Sequence, residues 1–338
     1  MNNFDSVNDL VDGFTTDPIM ERQILRPDME SLLDEYENGK QLGETTHAKT
    51  LDGVISWKRT FVNCWTGWPN FGKSTFTKYI ALLKSYKAGW KWVLFVPEDV
   101  GSHRMPNGKI KVDANDVWDE LAFTYQGQTP YKHHHEKKGW ARMERDVYIE
   151  TMKWLEAHFM IVQPDNRSWN GLIDLIKYSY DHRPFDGIFI DPFKNIRSDE
   201  KGRTDLYLDE TFAALKDVAI ETNSSVNIVA HPKNEKKKIT SGQNEGEYKV
   251  VEPDMMLGGA SWDNNMDGFY SFHRPFKHDD PKSPWCELFN LKQRKQTLVG
   301  KPGSVGDIFF VEKMNRFLFD KRDPFTGQTH ELNQKAPF

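Results

Sequence analysis

From about residue 51 onward, short apolar runs alternate with longer stretches in which apolar residues recur every three or four positions. Runs of strand length fall at 61–65, 92–96, 159–162, 187–190 and 226–230. The stretches with helical spacing are 73–86, 115–125, 140–157, 169–180 and 206–221. Short runs apolar on both faces, separated by helices, predict strands buried in a mostly parallel sheet with helices over both sides. After Asp267 the rhythm changes to short strands joined by turns, at 267–273, 286–292, 307–311 and 316–319. These predict an antiparallel C-terminal extension of the same sheet, and the fold class is α/β.

The first fifty residues read differently. Met29, Leu32, Leu33 and Tyr36 stand at i, i+3, i+4 and i+7, one apolar stripe on a short acidic helix, with Pro27 before it and Gly39 after it. A lone helix of this length is marginal in water. It needs a surface to dock on, either its own chain or a neighbouring subunit. The division that follows is an acidic arm over 1–42, a main domain over 43–322 and a tail over 323–338.

Charge sharpens this picture. Residues 1–50 hold 11 Asp and Glu against 4 Lys and Arg, whereas the whole 338-residue chain carries a formal charge of −5. The remainder is therefore slightly basic. That excludes a uniformly basic nucleic-acid coat and leaves room for local basic loops. No apolar run approaches the roughly 20 residues that span a bilayer. The acidic start lacks the basic-then-apolar order of a signal peptide, so a cytoplasmic protein is expected. Two cysteines, Cys64 and Cys286, cannot build a disulfide framework or a four-thiolate zinc site.

The strongest local chemistry is Gly67-Trp68-Pro69-Asn70-Phe71-Gly72-Lys73-Ser74, which fits G-x-x-x-x-G-K-[ST]. Such a loop wraps backbone amides and a helix N-terminus around phosphates, while the lysine bridges the outer ones. Gly67 to Thr75 are thus the candidate nucleotide-binding residues, and the Ser74 hydroxyl is a candidate Mg²⁺ ligand. A predicted strand precedes the loop and a predicted helix follows it, as the motif requires. Further on, 187–190 is an apolar strand ending in Asp191, the Walker B arrangement of a metal-organising carboxylate. Hydrolysis also needs a group that activates water. The strand 92–96 runs into Pro97-Glu98-Asp99, and groups at the carboxyl ends of parallel strands converge on a bound nucleotide. Glu98 is the candidate base and Asp99 the second choice.

This ordered set resembles the RecA-type motor domain of DnaB-like replicative helicases, superfamily 4, with the mitochondrial Twinkle helicase the closest flavour. The likeness covers about residues 43–320. Gly43 to Thr46 with Leu51 to Val54 resembles the segment before the family's first strand. Gly67 to Ser74 is similar to its Walker A, Val93 to Glu98 to the strand ending in its catalytic glutamate, and Ile188 to Ile196 to its Walker B strand and turn. Asn227 to Lys233 resembles the strand whose terminal polar residue senses the γ-phosphate. DnaB has Gln there, whereas His-Pro resembles Twinkle, so the resemblance assigns that role to His231. The Gly258-Gly259-Ala260-Ser261 segment and a K-x-R element, Lys292 and Arg294, follow in order. In the family this Lys and Arg reach the neighbouring subunit's ATP.

The resemblance implies a RecA-like P-loop ATPase that uses ATP and Mg²⁺. It further implies a homo-oligomer, a hexamer in this family, that translocates on single-stranded DNA and works with a separate primase or loader. No membrane partner is expected. Asn70 and Phe71 replace small residues often found inside the loop. Neither a primase half nor the helical N-terminal domain of DnaB is recognisable, which points to a phage or mobile-element version. The acidic arm resembles the linker helix that latches adjacent subunits. A RecA-like recombinase, a packaging ATPase and a non-translocating ATP-switched loader or adaptor share parts of the same pattern.

Two basic segments follow strand ends where the family grips its strand. The first carries Lys194, Arg197, Lys201 and Arg203; the second carries Lys233, Lys236, Lys237 and Lys238. Lys and Arg without base-edge readers predict backbone tracking with little sequence preference. His133-His134-His135 sits among charged residues and reads as a solvated loop rather than a metal site.

Overall fold

Period-two burial organises the main domain. In the strands Val62–Thr66 (β1) and Trp92–Phe95 (β2), Val62, Cys64, Val93 and Phe95 enter one core, while Trp65, Trp92 and Leu94 enter another. Successive side chains of a strand point to opposite faces, so these strands are sealed on both sides. The core of Trp65, Trp92 and Leu94 also takes residues of the helices Lys73–Ala88, Asn115–Gln126 and Arg145–His158; the other takes those of Trp169–His182 and Thr204–Glu221. The computed structural model describes residues 25–165, 168–193, 204–233, 238–241 and 245–331.

The remaining strands are Gly101–Arg104 (β3), Ile110–Asp113 (β4), Phe159–Ile161 (β5), Gly187–Ile190 (β6), Ser225–Val229 (β7), Gly268–His273 (β8), Trp285–Gln293 (β9), Gly303–Val311 (β10) and Arg316–Phe319 (β11). Nine of them form one sheet in the order β11-β10-β9-β8-β1-β7-β6-β2-β5. Strands β5, β2, β6, β7, β1 and β8 run parallel, and β8 to β11 are antiparallel. The α/β class and the antiparallel C-terminal part are as the sequence predicts.

The structure corrects the reading in four places. Strand β8 is parallel to β1, with Asn63 opposite Gly268, so the antiparallel part begins at β9. All six β8 residues are buried, whereas burial alternates through most of β9. Residues 140–144 are not helical: Thr129 N donates to Ala141 O and Met143 N to Thr129 O, holding this stretch extended before the helix Arg145–His158. The three histidines lie in a short helix, Lys132–Lys138, where His134 Nδ1 pairs with the Thr129 hydroxyl and His135 Nδ1 with Trp140 O. Strands β3 and β4 form a separate hairpin that the strand-helix rhythm does not predict. Asn107-Gly108 at its turn is the sequence signal for it.

The chain divides into two units, Met1–Leu42 and Gly43–Phe338. In the first, the predicted helix is present as Met29–Asn38, capped by Asp28 Oδ1, which accepts from Ser31 N, and ended by Gly39. Met29, Leu32, Leu33 and Tyr36 are all exposed, Tyr36 at 87%. In the second unit, the described residues after Arg322 pack against the body. Asp323 is buried against Arg316 at 2.7 Å, and Phe325 packs in the core beside Tyr79 and Tyr86. Arg316 also donates to Thr124 O and Tyr125 O, tying the helix Asn115–Gln126 to β11. Removing one partner of a buried pair strands the other charge, so Asp323→Ala is expected to cost about 3–5 kcal/mol in chemical denaturation. A loss under about 1 kcal/mol, the range of a surface pair, would contradict this role.

Candidate nucleotide site

The phosphate loop leaves β1 through backbone that only particular residues allow. Gly67 has φ +148, and a Cβ there would lie 2.3 Å from Phe272 O. Gly72 is left-handed at φ +92 and caps the helix Lys73–Ala88. The loop therefore ends on a helix N-terminus, whose amides and dipole favour an anion. Thr75 completes the first turn. The bulky residues inside the loop turn away from it. Trp68 and Phe71 are buried in the core of Val62 and Cys64, with Trp68 Nε1 donating to Lys249 O and the Phe71 ring edge-on to Tyr248 at 5.2 Å. Lys277 sits over the Phe71 ring and donates to Asn70 O.

Lys73 is 5% exposed. Its ammonium donates to Trp68 O at 3.3 Å and lies 3.3 Å from His231 Nδ1. His231 follows β7, the strand beside β1. One strand further, Asp191 follows β6, where the Ser74 hydroxyl favours its charged form. Asp191 is 8% exposed. Burial raises its pKa above the usual carboxylate value, against the Ser74 hydroxyl and the charges of Lys78 and Lys73, which lower it. The next strand, β2, leads into a turn in which Asp99 N donates to Val96 O, and Glu98 stands exposed on that turn. Lys73 with Ser74, then His231, Asp191 and Glu98 thus line one edge of the sheet in strand order. Ser74 Oγ and the Asp191 carboxylate are hard oxygen donors beside a phosphate loop, a set that suits Mg²⁺.

Asp99, the second choice for a base, is committed elsewhere: its carboxylate accepts from Lys78 at 2.9 Å, and Lys78 also pairs with Glu120. Lys78 and Glu120 escape a reading of the sequence by motifs. The only signal is that Lys78 lies four residues after Ser74 on the same helix face.

Lys292 and Arg294 lie at the far edge. Lys292 pairs with Phe269 and Gln293 with Gly268, at the start of β8, whereas the phosphate loop lies beside its end. The three to four steps between these residues and Phe272 span about 10–13 Å at about 3.3 Å per residue. Lys292 Nζ is 3.9 Å from Asp263, and Arg294 pairs with Asp267 and donates to Asn264 O. Burial lowers the Lys292 pKa, with Asp263 opposing. These two residues are not brought to their own chain's phosphate loop.

Of the basic segments, Lys233 and Lys238 are described. Lys233 N donates to Met255 O, and Lys238 bridges to Tyr248 with its ammonium 5.4 Å from that ring. Lys194, Arg197, Lys201, Arg203, Lys236 and Lys237 lie outside the described residues. Among the described residues, no group of three His, Cys, Asp or Glu is arranged to hold a metal.

A mostly parallel sheet with this strand order and a phosphate loop after β1 defines the RecA-like ATPase fold. Solved structures bear that out. One, described as an ATPase domain, matches with a TM-score of 0.66 at 14% identity, over 90% of this chain and 99% of that one. A DnaB-like replicative helicase, described with its interactions with primase, matches with a TM-score of 0.67 at 14% identity, over 89% of this chain and 69% of that one. A KaiC-like protein of the hyperthermophilic archaeon Pyrococcus horikoshii matches at 0.52 and 12% identity, over 82% and 99%. No family model and no curated protein matches the sequence. The chain has the fold of the ATPase domains of DnaB-like replicative helicases.

The buried carboxylate at the end of β6 carries a pH dependence. A raised folded-state pKa favours the protonated form, so the contribution is favourable at low pH and is lost as pH rises through the folded pKa. In nucleotide-free and Mg²⁺-free protein, Asp191→Asn is therefore expected to raise Tm at pH 7, with the gain vanishing below the carboxylate range. Calorimetry across pH checks this, and a variant less stable than wild type at pH 7 would contradict it.

Proposed function

We propose that this chain is the ATP-hydrolysing motor of a ring-forming, hexameric replicative DNA helicase. The observation that carries the reading is the row of Lys73, Ser74, His231, Asp191 and Glu98 along one edge of a RecA-like sheet. The loop Gly67 to Thr75 holds the triphosphate of ATP, with Lys73 against the outer phosphates. Ser74 and Asp191 would hold Mg²⁺, which neutralises phosphate charge when bound. Glu98 orients and deprotonates the attacking water. His231 touches Lys73 on one side and leads into Lys233 on the other, so the phosphate state is felt at the root of a basic loop.

Lys292 and Arg294 sit at the edge remote from their own phosphate loop, which suits fingers offered to the next subunit; such arginines are worth about 10³–10⁵ in rate. The acidic arm, with its exposed apolar stripe, serves as the latch to an adjacent copy. The basic segments grip single-stranded DNA by its backbone, and a separate loader, or a primase such as the one described with the DnaB-like neighbour, is the natural partner. No helix among the described residues is long and apolar enough to cross a membrane.

The test is Glu98→Gln. Nucleotide affinity stays within a few-fold of wild type, while hydrolysis falls by about 10²–10⁴, the usual range for a general base, and a forked duplex is no longer unwound. A variant that unwinds like wild type would remove Glu98 from the mechanism.

A further inference from the structure

The helix that opens at the phosphate loop carries a second lysine in its second turn. Lys78 lies four residues past Ser74 and is 7% exposed. Its ammonium donates to Asp99 Oδ2 at 2.9 Å and to Glu120 Oε2. Burial works against the charge, yet the two carboxylates outweigh it and hold the ammonium above its usual range. Three elements therefore meet on one cation: the phosphate-loop helix, the turn after β2, and the helix Asn115–Gln126, whose Val117 and Leu121 are anchored in the core.

Placing a charge in a nearly closed position is costly unless it is paired, and a buried pair is weak evidence for stability alone. What such a pair does supply is a fixed distance between the elements it joins. Here one of those elements is the turn 97–99, and Asp99 is the residue after Glu98. Beyond that turn the chain continues into the β3–β4 hairpin, which forms a sheet of its own and exposes Ile110 and Val112. The hairpin adds no strand to the main sheet to steady the turn from that side. Lys78 ties it to the same helix that carries Lys73 and Ser74.

We infer that Lys78 is a positioning residue: by holding Asp99 it sets the turn that carries Glu98 at a fixed place relative to the phosphate loop. This deepens the function proposed above and rests on Glu98 as the group that activates water. Lys78 acts through Asp99, to which its ammonium is bonded.

The test compares Lys78→Met, Lys78→Arg, Asp99→Ala, the Lys78→Met/Asp99→Ala double variant and Glu98→Gln in the full chain. Steady-state hydrolysis, nucleotide affinity and Tm are measured for each. A catalytic group displaced by about 1 Å costs on the order of 10²-fold. Lys78→Met and Asp99→Ala are expected to lower kcat about 10- to 100-fold by that reasoning, while nucleotide affinity stays within about threefold. The double variant loses no more than the worse single one, because both act on the same turn. Lys78→Arg, which keeps the charge and the reach, recovers most of the turnover.

Wild-type kcat in Lys78→Met or in Asp99→Ala, with Glu98→Gln inactive, would overturn the inference and leave the proposed function standing. So would a loss in which kcat, nucleotide affinity and Tm fall together and arginine restores none of them; the pair would then be structural. If Glu98→Gln hydrolyses at the wild-type rate, the role of Glu98 falls first and the positioning role with it.

Discussion

A buried ammonium at the first residue of a helix is the constraint on which the site is built. Lys73 is nearly closed off from water, at the point where the helix dipole already places positive potential. Two like contributions in one small volume are tolerable only where an anion can answer them. The surrounding structure serves that arrangement. Gly67 lets the backbone pass within reach of β8, Gly72 turns it into the helix, and Trp68 and Phe71 brace the loop from behind through Lys249 and Tyr248. The parallel sheet then delivers His231, Asp191 and Glu98 to the same edge, because parallel strands end on the same side.

The sheet also separates two sets of charged residues. Those that surround the phosphate loop lie at the carboxyl ends of the parallel strands. Lys292 and Arg294 lie where β8 begins, held by Asp263 and Asp267. The two sets are separated along β8 and do not meet at the phosphate loop of one chain. A shared site between copies follows from the proposed function for this reason, and the exposed apolar stripe of the acidic arm fits the same need for a second copy.

Much of this was legible in the sequence, for a physical reason. The runs that became β1, β2, β6 and β7 are apolar on both faces, and that density marks a covered parallel strand whatever the surroundings. The phosphate loop was legible because its backbone requires glycine at fixed positions. Less legible was whatever depends on elements far apart in the chain. The direction of β8 is decided by pairing with β1 some two hundred residues earlier, although its unbroken burial resembles the other parallel strands. The helical spacing of 140–144 yielded to backbone bonds with Thr129. Asp99 read as a spare acid because Lys78 and Glu120 reach it only once three separate elements are folded together.

The central claim is that the loop from Gly67 to Thr75 binds the triphosphate of ATP through Lys73. Calorimetric titration of Mg·ATP into wild type and Lys73→Ala tests it most directly. The account predicts one site per chain in wild type and a loss of about 2–5 kcal/mol of binding free energy in the variant, as for truncating one partner of a buried charge pair, with the fold intact by circular dichroism. Equal affinity in the two proteins would contradict it.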